Sequence, residues 1–160
     1  MKRNGLMSLV LCLALAGAHA QSGFKFGVGI NGALPVGNLS NISSFVIGGE
    51  VQGEYGFNDD LSGIFTTGYT HFMEKNSNGL KQGMIPLLAG ARYHATDKFF
   101  VGGQLGYGFF TNGGSGGFAY KPQIGYRAGS FQITGSYNGI SNNGSLGWAG
   151  IAGVFTFGGK

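Results

Sequence analysis

The chain has 160 residues, of which ten are basic and six are acidic, and charged residues make up 10% of it, against about 25% in an average soluble domain. Glycine accounts for 34 residues, well above its usual share of about 7%. The basic residues are scattered, which excludes the clustered basic surface of a typical nucleic-acid-binding protein. No stretch after residue 20 is apolar enough for a transmembrane helix.

The first segment, residues 1–20, has the features of a secretory signal peptide. Lys2 and Arg3 give a positive start, a short apolar run follows, and small residues precede the expected cleavage site. Cleavage would leave residues 21–160 as one domain with eight basic and six acidic residues, a net charge of +2. The only cysteine, Cys12, would be lost with the signal peptide, so the exported domain could form no internal disulfide.

Eight stretches of the exported domain alternate apolar with small or polar side chains, a two-residue period that predicts β-strands with one apolar face. They run from Phe24 to Pro35, from Phe45 to Phe57, from Leu61 to about Phe72, from about Gln82 to His94, from Phe99 to Phe110, from Phe118 to Ala128, from Phe131 to the loop at Ser141, and from Leu146 to Phe157. We expect Pro35 to end the first strand and Pro86 to mark a bulge in the fourth. Strands of about this length can cross a bilayer at a tilt of about 45°.

The connections between these stretches are alternately short and long. Short turns lie near Asp59, Asp97 and Ser130, and longer loops rich in Asn, Ser and Gly lie near Asn41, Ser77, Gly114 and Asn143. Aromatic residues concentrate towards both ends of the strands, as in the two aromatic girdles of membrane barrels. Since only a closed sheet satisfies every backbone group in lipid, the sequence predicts an eight-stranded antiparallel up-and-down transmembrane β-barrel.

From about Phe24 onwards the chain resembles the small eight-stranded outer-membrane barrels of Gram-negative bacteria. The segment from Ser136 to Phe157, SYNGISNNGSLGWAGIAGVFTF, is similar to the closing hairpin of the porin-family or "outer membrane beta-barrel" proteins of Bacteroidota-type bacteria. The resemblance implies an outer-membrane location, with membrane lipid and the barrel assembly machinery as partners. Such barrels usually end on an aromatic residue, whereas here Phe157 is followed by three more residues.

Charged and amide side chains occupy the register opposite the aromatic residues, so we expect them to face the barrel interior. They are Glu50, Glu54, Arg92, Gln104, Lys121, Gln123 and Arg127, together with Gln132. Counting from the short turns places Glu54 level with Arg92, and Glu50 level with Lys121, which predicts two pairs of opposite charge at two heights. One interpretation is a charged constriction in a narrow channel. We favour a packed polar interior, because a barrel of eight strands is just wide enough for its own side chains.

The sequence gives little support for catalysis or metal binding. Outer-membrane lipid A deacylases use a histidine, a serine two residues later and an acid, but the nearest match, Gly139–Ser141, has glycine at the histidine position. Neither His71 nor His94 has a serine at that spacing, and His71 with Glu74 is too sparse a set for a metal site. We therefore predict that the protein is not an enzyme and has no cofactor.

Three classes of function remain open at this point. The first is a structural, porin-family barrel with a polar filled interior and at most small-solute permeability, acting as a monomer. The second is a surface barrel that binds an unknown extracellular partner through its loops. The third, a soluble exported ligand-binding barrel, is disfavoured because it would place apolar side chains inside and charged side chains outside.

Overall fold

A computed structural model describes residues 23–75, 82–113, 115–142 and 144–158. The predicted signal peptide, residues 1–20, lies outside the described residues and stays a prediction. The loop positions Ser77, Gly114 and Asn143 also lie outside them.

Eight antiparallel strands form one closed barrel, in which each strand pairs with its neighbours in sequence and the last pairs back to the first. The strands are β1 (Phe24–Val36), β2 (Ser43–Gly56), β3 (Leu61–Glu74), β4 (Gln82–His94), β5 (Phe99–Phe110), β6 (Gly117–Ala128), β7 (Phe131–Ser141) and β8 (Ser145–Phe157). A 3-10 helix over Gly37–Asn41 joins β1 to β2. Closure occurs between β1 and β8, where Phe26 lies opposite Phe157. The predicted fold and strand number are confirmed. Among the described residues no helix has the length and apolarity needed to cross a bilayer.

The two faces of the barrel wall follow the predicted alternation. The outer face carries large apolar side chains, such as Ile30 with 76% of its surface exposed, whereas Arg92 on the inner face is 0% exposed. The three short turns and the start of β1 lie at one end of the barrel, here called the turn end. The 3-10 helix lies at the opposite end, here called the loop end. This arrangement is the reverse of a soluble protein, because the hydrophobic surface faces outwards.

The strong curvature of a small barrel explains part of the high glycine content. A Cβ atom built on Gly90 would collide with the carbonyl oxygen of Gly103 on β5, and one on Gly106 would collide with that of Leu87 on β4. Both glycines therefore allow neighbouring backbones to approach more closely than a side chain would permit. Such glycine positions let a sheet bend tightly enough to close with eight strands.

Two expectations about proline are wrong. Pro86 marks no bulge. On one side of it Thr67 pairs with Leu87, and on the other side Thr70 pairs with Met84, so β3 and β4 keep the same register past the proline. Since proline has no N–H group to donate, the pairing to β3 is interrupted without a shift. Pro35 does not end β1, which continues to Val36, because Pro35 still pairs with Trp148 of β8 after the pairing to β2 has stopped at Ala33. The register does shift in β2, between Ser43 and Phe45.

Candidate functional site

The turn half of the barrel interior is organised around a carboxylate shared by two arginines. Glu54 on β2 accepts a bond of 2.7 Å from Arg92 Nη1 on β4, and bonds of 2.8 and 2.9 Å from Arg127 Nη2 on β6. These side chains meet because each occupies the inner register of its strand a few residues from the turn end. The pair of Glu54 with Arg92 is the one that the residue spacing predicted, and Arg127 is a second cation on the same carboxylate.

Three glutamines add further hydrogen bonds to this layer. Arg92 Nη2 donates to the Oε1 atoms of Gln52 (3.2 Å) and Gln123 (3.4 Å), and Arg92 Nη1 donates to Gln132 Oε1 at 3.5 Å. Gln132 Nε2 in turn donates to Gln52 Oε1 at 3.0 Å. The two Nη atoms of Arg92 therefore have four acceptors, whereas its buried Nε has no hydrogen-bond partner among the described residues.

An aromatic ring supports the two arginines. The Arg92 guanidinium carbon lies 4.4 Å from the centre of the Phe100 ring, and that of Arg127 lies 5.8 Å from it. Both distances are within the range of a cation–π interaction. Phe100 fits because its neighbour on β6, Gly125, has no side chain, and a Cβ atom there would collide with the ring.

A second ion pair lies closer to the loop end. Lys121 Nζ donates to Glu50 Oε2 at 2.9 Å, and both side chains are about 5% exposed. Glu50 also accepts from Asn31 Nδ2 (3.3 Å) and from Gln52 Nε2 (2.6 Å). Because Gln52 contacts both Glu50 and Arg92, it joins the two layers into one polar network. The pairing of Glu50 with Lys121 is also the one that the spacing predicted.

Gln104 is the one predicted interior residue that the structure does not bring into this network. Its side chain is buried, yet neither its Oε1 nor its Nε2 has a hydrogen-bond partner among the described residues. On the neighbouring strands it lies opposite Gly90 and Lys121. The glycine supplies no side-chain partner, and the lysine ammonium is engaged by Glu50.

The loop half of the interior is mainly apolar, which the sequence analysis missed. An apolar plug fills it, made of Ala33, Leu39, Val46, Phe72, Met84, Ile140 and Trp148, with Phe110 and Leu146 packed against them. The 3-10 helix contributes Leu39, which is 2% exposed and closes the plug from above. The Phe72 and Trp148 rings meet edge to face, with their centres 5.2 Å apart. The signal that could have revealed the plug is the inner register of β8, where Leu146, Trp148, Ala152 and Val154 are all apolar.

Among the residues that the structure describes, two cavities border the polar network. The smaller, of about 40 Å³, lies between the pair of Glu50 with Lys121 and the plug residues Met84 and Trp148. It has room for about three water molecules, so it is not a pore. The larger, of about 410 Å³, opens at the turn end; we call it the turn-end cup. It is lined by Gly23, Lys25, Glu54, Gly56, Asn58, Asp59, Ser62, His94, Asp97 and Arg127.

Within the cup, the structure brings a serine to His94 that the sequence pattern had not indicated. Ser62 Oγ lies 3.0 Å from His94 Nε2, and Glu54 Oε1 lies 3.4 Å from the same nitrogen. In a serine hydrolase the acid holds the other ring nitrogen, so this geometry does not match that of a catalytic triad. Ser62 is also only 2% exposed. No group of three or more metal-ligating side chains occurs in the described part of the chain.

The exterior forms an apolar belt with aromatic residues towards both ends. At the turn end the exposed aromatic side chains include Tyr55, Phe57, Tyr93, Phe99, Tyr126, Phe131 and Phe155, and at the loop end they include Tyr69, Phe109, Phe118 and Tyr137. Such girdles flank the apolar band of membrane barrels. The exterior therefore matches a lipid-facing surface.

Comparison with known proteins agrees with this geometry at the level of fold. The attachment invasion locus protein Ail of Yersinia pestis superposes with a TM-score of 0.62 at 17% identity, over 86% of this chain and 100% of that one. Neisserial surface protein A superposes with a TM-score of 0.59 at 16% identity, over 86% of this chain and 98% of that one. A de novo designed transmembrane β-barrel superposes with a TM-score of 0.56 at 13% identity, over 85% of this chain and 97% of that one. The sequence matches no protein-family model and no curated protein.

The chain has the fold of a small outer-membrane β-barrel. Ail, which shares this fold, is an outer-membrane protein that has been studied in phospholipid bilayers. The predicted outer-membrane location agrees with that neighbour and with the apolar exterior. The narrower resemblance to proteins of Bacteroidota stays a prediction. The soluble ligand-binding alternative is not supported, because the interior holds the charges and the exterior the apolar side chains.

Proposed function

We propose that the protein is a closed structural barrel of the outer membrane that conducts no solute. The observation that carries this proposal is the filling of the interior in both halves. Arg92, Gln104 and Gln132 are at most 1% exposed in the polar half, and the apolar plug fills the other half. A polar solute would have to break the ion pair of Glu54 with Arg92 and then enter an apolar region, which costs several kcal/mol for each unpaired polar group.

In this proposal the barrel is a monomer, its partners are outer-membrane lipid and the assembly machinery, and it performs no catalysis. The non-enzymatic assignment is supported by the serine and histidine geometry of the cup. The machinery would act on a chain whose last strand carries Phe155 and Phe157 on its outer face.

The proposal is tested by single-channel recording of the folded protein in planar bilayers. We expect no unitary conductance steps from the natural protein. A variant with Leu39→Gly, Trp148→Gly and Arg92→Gly, which opens both halves, serves as the positive control and should leak. Reproducible conductance steps from the natural protein would refute the closed-barrel proposal.

A second candidate is surface binding through the loops. It is favoured by the filled interior, which leaves the loop end available, and by the likeness to Ail, a protein named for attachment and invasion. Ail has been crystallised with the heparin analogue sucrose octasulfate. The loops of the present chain contain the basic residues Lys75 and Lys81 and no arginine, so we do not extend sulfated-glycan binding to it.

This candidate is tested by adhesion of cells that display the protein to cultured host cells. The control variant has Thr111, Asn112, Asn142 and Asn143, the residues of these two loops that are neither Gly nor Ser, replaced by Gly or Ser, with the barrel strands unchanged. Loss of adhesion in the control would support loop binding. Equal adhesion by cells with the natural protein, the control variant and no barrel at all would exclude it.

A further inference from the structure

Two strand pairs of the barrel wall are interrupted at a proline. The pairing of β3 with β4 skips Pro86, and the pairing of β6 with β7 skips Pro122, in both cases without a change of register. In β4 the residues with even numbers exchange hydrogen bonds with β3, as the bond from the His94 N–H to the Asp60 carbonyl shows. Pro86 therefore lies where an N–H group would otherwise donate to the carbonyl of Gly68.

The second interruption has the same consequence. In β6 the residues with odd numbers bond to β5, since the Arg127 N–H donates to the Lys98 carbonyl. Pro122 therefore faces β7, where an N–H group would otherwise donate to the carbonyl of Tyr137. At both places the described sheet lacks the donor that a strand normally supplies. Because lipid offers no hydrogen-bond donor, the carbonyls of Gly68 and Tyr137 need another source.

Both interruptions border the same internal cavity, the one of about 40 Å³. The lining residues next to them are Thr66, Thr70 and Pro86 on β3 and β4, and Lys121, Ser136 and Asn138 on β6 and β7. The two threonines lie two residues before and after Gly68, and the serine and asparagine lie directly before and after Tyr137. A molecule in this cavity therefore lies beside both interruptions of the wall.

Side chains of the lining also need further hydrogen bonds. Thr66 is 1% exposed, and its Oγ1 atom has no hydrogen-bond partner among the described residues. The Lys121 ammonium has three N–H groups but one acceptor in the described chain, Glu50 Oε2 at 2.9 Å. Buried polar groups without partners destabilise a fold. Since Glu50 already balances the charge of Lys121, the cavity suits a neutral molecule that both donates and accepts hydrogen bonds.

We propose that this cavity is a binding site for a cluster of ordered water molecules, which bond to Lys121, Thr66 and the two wall carbonyls. The volume of about 40 Å³ accommodates about three of them. The cluster acts as a part of the wall, because it supplies the donors that Pro86 and Pro122 remove. Trp148 of the apolar plug borders the cavity, so the cluster stays at the middle of the barrel and forms no channel. The proposal does not depend on whether the barrel conducts.

The first test compares two buried threonines whose hydroxyl groups both lack a partner in the described chain. Thr66 lines the cavity, whereas Thr134, which is 0% exposed, does not. Thr66→Val removes a hydrogen bond to water, so it should raise the equilibrium constant of unfolding by urea in lipid vesicles about fivefold. Thr134→Val is the matched control. It removes a hydroxyl that bonds to nothing in the described chain, so it should leave that constant unchanged or lower it.

The second test is high-resolution crystallography of the natural protein. We expect electron density for water within hydrogen-bonding distance of Lys121 Nζ and Thr66 Oγ1. A cavity without such density would overturn the proposal, whether or not the variants fold. So would a Thr66→Val variant at least as stable as the natural protein, or an equal loss in Thr134→Val, which would assign the effect to the shape of valine. None of these results bears on the closed-barrel proposal, since conductance is measured separately.

Discussion

Lys121 and Arg92 are both buried cations, but we expect the loss of Lys121 to destabilise the barrel more. Glu50 is 5% exposed, and Lys121 is the only cation within 4 Å of it among the described residues. Its other donors are the neutral amides of Gln52 and Asn31. Removing one partner of a buried ion pair costs about 3–5 kcal/mol. Lys121→Met should therefore lower the free energy of unfolding by about that amount.

The equivalent change at Arg92 should cost less, because other groups replace most of its contacts. The acceptors that Arg92→Met would abandon are the side chains of Glu54, Gln52, Gln123 and Gln132. Glu54 keeps its ion pair with Arg127. Gln132 Oε1 still accepts from Arg127, and Gln52 Oε1 still accepts from Gln132 Nε2, so only Gln123 Oε1 loses its donor. One unsatisfied buried acceptor costs about 1–3 kcal/mol. We expect Arg92→Met to destabilise the protein by about that amount.

Both variants can be compared by equilibrium urea unfolding in detergent or lipid vesicles, followed through the fluorescence of Trp148, the single tryptophan. The matched control is the double variant Lys121→Met with Glu50→Gln, which removes both charges of the pair. It should unfold within about 1 kcal/mol of the natural protein, because replacing a whole buried pair is often neutral. The reasoning would be refuted if Lys121→Met and Arg92→Met lowered the free energy of unfolding equally. It would also be refuted if the double variant were as unstable as Lys121→Met.

Two further substitutions test the outer and inner faces of the wall. Ile30→Arg, at the middle of β1 on the lipid face, should cost about 2–4 kcal/mol in vesicles, whereas Val36→Arg at the end of the strand should cost about 0–1 kcal/mol. Equal costs would mean that the exterior does not face a bilayer. Gly125→Ala should cost about 1–3 kcal/mol in urea unfolding, because its Cβ would meet the Phe100 ring. Gly103→Ala, with open space around its Cβ, should be neutral, and a similar loss there would contradict the packing argument.

The architecture was predictable because a transmembrane barrel repeats one strong pattern. The predicted bounds of β5 agree with the structure to the residue, and β4 agrees with its approximate prediction, because both strands are flanked by clear turn or loop residues. The pairing of Glu54 with Arg92 and of Glu50 with Lys121 was also predictable. In antiparallel strands joined by short turns, height in the barrel follows from the distance to the turn.

The apolar plug was not predictable by the same argument, because the argument used charged and amide residues, and these lie outside the loop half of the barrel interior. Val46 and Trp148 lie in that register as clearly as Glu50 does, but apolar side chains inside a membrane barrel contradict the simple rule of a polar interior. Leu39 lies in the 3-10 helix between β1 and β2, and its position over the barrel mouth depends on how the chain folds after β1. Periodicity within strands carries no information about that placement.

The division of the interior into two halves bears on where the protein can act. In the polar half the interior is blocked by hydrogen bonds and ion pairs around Glu54 and Arg92. In the apolar half it is blocked by the packed side chains around Trp148. Because the two halves are blocked by different side chains, a local movement in one half does not open a continuous path through the barrel. A ligand can therefore reach the barrel only at its two ends.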